Sequence, residues 1–148
     1  MIDRERSAPE HRRPPGVSDE TVAALGKLSE AVEAVERARG HLYSFHQLTG
    51  HADRQLGEAA DLLDAAGHAD LAATLRETVV GRNVIEGRWT FQIVEEFDDG
   101  YYHDLRAFER DARESLVQGR RHLFEAEMKE RRRTHGRRHH EARPGEGG

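Results

Sequence analysis

The chain predicts an all-α fold, an antiparallel bundle of three long helices and one short helix between disordered ends. Three observations carry that expectation. Apolar residues recur at steps of three, four or seven through most of residues 18–130, the spacing of one helix face. Residues 1–17 and 129–148 hold few large apolar groups and all four prolines, so the middle must supply the core. Strict alternation, the mark of a half-buried strand, lasts only from Trp89 to Ile93.

The elements follow in order. Residues 1–17, with Pro9, Pro14 and Pro15 among mixed charges, read as a disordered arm. Ser18 is an N-cap, with Asp19 and Glu20 at the positive end of the helix dipole. Val22, Leu25, Leu28, Val32, Val35, Leu42 and Phe45 then form one stripe, and Thr49-Gly50 predicts its end. Asp53 caps a short second helix through Leu56, Ala59, Leu62, Leu63 and Ala66, stopped at Gly67.

Asp70 caps a third helix. Its stripe runs Leu71, Leu75, Val79, Arg82, Glu86, Trp89, Ile93 and Phe97, with Val80, Val84 and Phe91 on another side. The competing reading over 78–94 is strand, because Thr78-Val79-Val80 and Val84-Ile85 are β-branched. Helix is preferred because its spacing persists far longer than the alternation. Asp98-Asp99-Gly100 predicts a kink or tight joint, beyond which Tyr101, Leu105, Phe108, Ala112, Leu116, Leu123 and Ala126 continue the stripe. Residues 18–130 therefore read as one bundle domain, and 131–148 as a basic disordered tail.

Composition excludes several classes of function. The 148 residues are 36% hydrophobic and 34% charged, polar for one globular domain. There is no cysteine, which removes disulfides, thiol nucleophiles and cysteine-ligated metals. Neither a signal-peptide core in Met1-Ile2-Asp3-Arg4-Glu5-Arg6 nor a membrane-length apolar run is found, so a cytoplasmic protein is expected. The net charge of −5 is uneven: residues 18–128 carry 12 Lys+Arg against 22 Asp+Glu, and residues 129–148 carry 7 against 3.

Candidate chemistry is sparse. Arg82 and Glu86 lie four apart on the apolar stripe and are expected to form a buried ion pair or, with Asn83 and Trp89, a polar ligand pocket. Trp89 itself is expected in the core. Tyr102 and His103 sit at the edge of the stripe, where a ligand or partner would meet them. Glu95, Asp99 and His103 lie four apart and could present metal donors, but Glu-x-x-His pairs for a di-iron centre are missing. No metal and no cofactor are expected. None of the five serines lies in a Gly-x-Ser-x-Gly elbow, and no phosphate-binding glycine loop is present, so no enzyme is expected. Arg131, Arg132, Arg133, Arg137 and Arg138 could contact nucleic-acid phosphates, though no aromatic residue interleaves with them.

The run Gly81-Arg82-Asn83-Val84-Ile85-Glu86-Gly87-Arg88-Trp89-Thr90-Phe91-Gln92-Ile93-Val94-Glu95-Glu96-Phe97-Asp98-Asp99 resembles small helical proteins of high-GC Gram-positive bacteria. Arg121-His122-Leu123-Phe124-Glu125-Ala126-Glu127-Met128-Lys129-Glu130 adds to that likeness. The family has no assigned activity, so the resemblance implies a cellular setting and no site residue. The leading expectation is a non-enzymatic helical interaction or scaffold protein that self-associates through a protein partner or its own copies. The alternatives are a bundle binding a small ligand or metal around Arg82, Glu86, Glu95 and His103, and a nucleic-acid-associated protein using its arginine tail.

Overall fold

The computed structural model describes residues 5–143 and 145. They form an all-α protein with no strand among the described residues. No helix among them is long and apolar enough to cross a membrane. Five α-helices follow in order: α1 (Asp19–Ala65), α2 (Ala69–Thr78), α3 (Thr90–Phe97), α4 (His103–Val117) and α5 (Leu123–Arg132). A π turn, Asp98–Tyr102, joins α3 to α4. The chain divides into two compact units, one of Met1–Ala34 with Asp104–Gly148, the other of Val35–His103.

The start of α1 is as read from the sequence: the Ser18 hydroxyl accepts the Thr21 N–H at 3.1 Å. Its end is not. The helix passes through Thr49-Gly50 and absorbs the separate helix expected from Asp53. Helix formers flank the glycine, and the Thr49 hydroxyl donates to the His46 carbonyl within the helix, so one glycine costing about 1 kcal/mol is outvoted. The stripe also turns. Leu42, His46, Thr49, Asp53, Leu56, Ala60 and Leu63 form the covered row, leaving Phe45 exposed. α1 stops at Ala66-Gly67 with paired bonds, His68 N–H to Leu63 and Gly67 N–H to Asp64.

The expected third long helix exists only at its two ends. Val79 to Trp89 is a loop closed by an isolated antiparallel bridge between Ile85 and Arg88, so neither helix nor strand describes it. Gly81 and Gly87 stand at φ 73° and 79°, a left-handed backbone that breaks a helix, and β-branched Val84 and Ile85 between them have low helical propensity. His68, not Asp70, precedes α2. The joint at Gly100 is a kink, as expected: its φ and ψ are −104° and −105°, and the widened turn carries His103 N–H back to Asp98.

In the second unit the joint is locked by Arg39. Its Nε and Nη2 donate to the two Asp98 oxygens at 2.7 and 3.0 Å. The guanidinium lies 5.0 Å from the ring centroids of both Tyr43 and Tyr102. Those hydrogen bonds hold the Asp98 carboxyl below its ordinary value of 3.8 and raise Arg39 further above neutrality. Arg76 ties α2 to the end of α1 through Asp61 and Asp64.

The first unit centres on Val22, Val117 and Leu123, with Val17 and Leu25 against them. Both terminal segments, read from the sequence as disordered, join this unit where they are described; residues 1–4, 144 and 146–148 lie outside the described set. Arg13 forms a two-bonded pair with Glu127 at 2.8 and 2.9 Å, and Arg120 donates to the Arg12 carbonyl at 2.6 Å. Arg133, its side chain wholly covered, holds Glu130, the Glu5 carboxylate, the Glu5 carbonyl and the His140 carbonyl. One guanidinium thus fastens arm, helix and tail, because five donors in a rigid fork can be shared among several acceptors.

Candidate functional site

The second unit carries an open groove of about 940 Å³. One wall is α1 from Thr49 to Leu56, the other is the loop from Val79 to Gly87, and Trp89 and Thr90 close one end. The wall geometry follows from three polar ties. Gly81 N–H donates to Asp53 Oδ1 at 2.7 Å, holding the loop to α1. His46 Nδ1 and Thr90 Oγ1 share a hydrogen bond of 2.6 Å, holding the first turn of α3. Arg88 pairs with Glu96 at 2.8 Å, fixing the returning limb.

The lining combines apolar Leu56, Val79, Val84 and Trp89 with polar Arg82, Asn83 and Glu86. Trp89 is 57% exposed, tilted against Phe91 with centroids 5.3 Å apart. Trp89 is therefore not a core residue. Arg82 and Glu86 are also exposed, and no ion pair joins them among the described residues. The expected buried pair fails because it required a helix, and the loop no longer places residues four apart on one face.

Of the ligand-binding residues expected from sequence, Arg82, Asn83, Glu86 and Trp89 all line the groove. Tyr102 and His103 do not. Tyr102 stacks on Phe97 at 6.1 Å, and its hydroxyl donates to Glu36 at 2.7 Å, so it belongs to the Arg39 lock. His103 and Glu95 are exposed on α4 and α3, away from the groove lining. No cluster of three or more His, Asp or Glu residues suited to a metal ion occurs among the described residues.

Sequence reading missed Asp53, Leu56, Gly81 and Gly87 as parts of this site. The available signal was the pair of glycines bracketing Arg82-Asn83-Val84-Ile85-Glu86, which a periodicity search reads through. The arginines of the tail divide: Arg133 is buried, while Arg131, Arg132, Arg137 and Arg138 are exposed. No family model, curated protein or solved structure matches this chain.

Proposed function

We propose that the protein is a non-enzymatic helical interaction protein that self-associates through the apolar surface of its second unit, around the Trp89 groove. The supporting observation is the imbalance between what this unit covers and what it leaves open. Its buried apolar residues are Ala60, Ala72 and Val94. Its uncovered ones include Tyr43, Leu48, Leu62, Leu71, Val84, Ile85, Trp89, Phe91 and Tyr101. Of these, Val84 and Trp89 line the groove beside Leu56 and Val79. A second copy of the chain supplies the missing cover with matching chemistry.

Sedimentation of the full chain across concentration tests this reading. The expected result is a dimer or larger species whose dissociation rises at least tenfold on Trp89→Ser or Leu48→Gln. A monomer at high micromolar concentration overturns it. A second reading, a small amphipathic ligand in the groove, is favoured by the meeting of Arg82, Asn83 and Glu86 beside Trp89. Under that reading Arg82→Gln leaves sedimentation unchanged and removes ligand-dependent quenching of Trp89 fluorescence. Cytoplasmic residence fits either reading.

A further inference from the structure

We infer that the end of α5 and the turn after it form a binding surface for the phosphate backbone of duplex DNA, carried by Arg131, Arg132, Arg137 and Arg138. The surface is independent of the self-association proposed above. A flexible basic tail would be expected to fold back onto the protein's own acids. Among the five arginines of residues 131–138, only Arg133 is consumed in that way, while Arg143 beyond them is engaged with the arm through the Arg6 carbonyl. Arg131, Arg132, Arg137 and Arg138 are exposed and pair with no acid among the described residues.

The acids that meet this turn are already engaged. Glu130 is held by Arg133, as is Glu5 from the arm, and Glu141 accepts the His139 N–H at 2.9 Å. The backbone that carries the cations is also held in place. α5 runs to Arg132, and the chain then turns, with Arg137 N–H to Thr134 and His140 N–H to Arg137. Arg133 and Thr134 N–H both fasten to His140, closing the turn between the two arginine pairs. Four guanidinium groups are thereby presented from both limbs of one short turn.

Guanidinium forks match phosphate oxygens, and cations carried on a held backbone lose less entropy on binding than those of a loose tail. No Phe, Tyr or Trp lies between Lys129 and Arg143, so the large rings that stack best on unpaired bases are missing there. The surface therefore reads the duplex backbone without sequence preference. The acidic second unit, 6 Lys+Arg against 12 Asp+Glu, opposes the approach of DNA along its own surface.

Fluorescence anisotropy of a short random-sequence DNA duplex, titrated with the full chain at several salt concentrations, tests the inference. Binding should weaken with salt along a log–log slope of about −3 to −4, the value for four neutralised phosphates. Replacing all four arginines by glutamine should reduce low-salt affinity at least tenfold and bring the slope near zero. Each single replacement should lower the slope by about 1, which keeps the test informative if the fourfold variant folds poorly. Lys27→Gln with Arg110→Gln, outside the surface, should change neither quantity. The inference is overturned if the parent chain binds no duplex at low salt, or if the fourfold variant keeps its slope. Equal or tighter binding to single strands or to vesicles of anionic lipid overturns it as well.

Discussion

Arg133 and Arg39 each organise one unit through a guanidinium bonded to acceptors distant in the chain, Glu5 for Arg133 and Asp98 for Arg39. Breaking a covered guanidinium's bonds leaves its partners unpaired rather than merely uncharged. Arg133→Gln should therefore loosen the described arm and tail together. Amide exchange in residues 5–13 and 134–143 should accelerate by an order of magnitude or more, while α2 and α3 stay protected; unchanged protection of the arm would refute the clasp. Acid sensitivity follows from the same pairs. Asp98 and Glu130 are held below their ordinary values of 3.8 and 4.5 by hydrogen bonds from Arg39 and Arg133. A carboxyl whose value falls on folding adds stability that is complete above its unfolded value and lost as pH drops through the folded one. The melting temperature should be level from neutrality to about pH 5 and fall below about pH 4. Asp98→Asn should lower the plateau and shallow the acid limb. A melting temperature that rises between those two values would contradict the assignment.

At the scale of elements, α1 and α5 meet where Gly26 admits the Phe124 ring. A Cβ at Gly26 would stand 2.7 Å from Phe124 Cγ, whereas one at Gly40 meets nothing within 4 Å. Both glycines lie inside α1, so alanine gains about 1 kcal/mol of helix propensity at each. Overpacking at Gly26 costs about 1–3 kcal/mol and reverses the sign there. Denaturant melts should show Gly40→Ala stabilised by up to about 1 kcal/mol and Gly26→Ala destabilised by up to about 2 kcal/mol. Stabilisation by both would show that the α5 contact yields without cost. The loop from Val79 to Trp89 is the element that sequence periodicity misread. Its apolar residues keep three-and-four spacing, so the pattern alone cannot distinguish a helix face from a loop whose apolar residues stay exposed.

For the whole molecule, the exposed Trp89 separates folding from association. Trp89→Ala should change the folding free energy of the isolated chain by about 0.5 kcal/mol or less, as surface substitutions do. It should weaken self-association, so that the parent's melting temperature depends on concentration and the variant's does not. Loss of several kcal/mol in the dilute variant would return Trp89 to a core role. The sequence alone was sufficient for the all-α class, the Ser18 start and the Gly100 kink, because local propensity and spacing encode these directly, whereas it grouped Arg82, Asn83, Glu86 and Trp89 on a helix face that the structure replaces with a loop. It could not show that α1 continues through Gly50, since a helix stop weighs neighbours' propensities against one glycine. Nor could it show that Glu5 and Arg133, 128 residues apart, hold the termini together, or that Asp53 fixes the groove wall through Gly81. Those outcomes depend on which donors and acceptors folding brings within 3 Å of one another, and no periodicity in the chain records that distance.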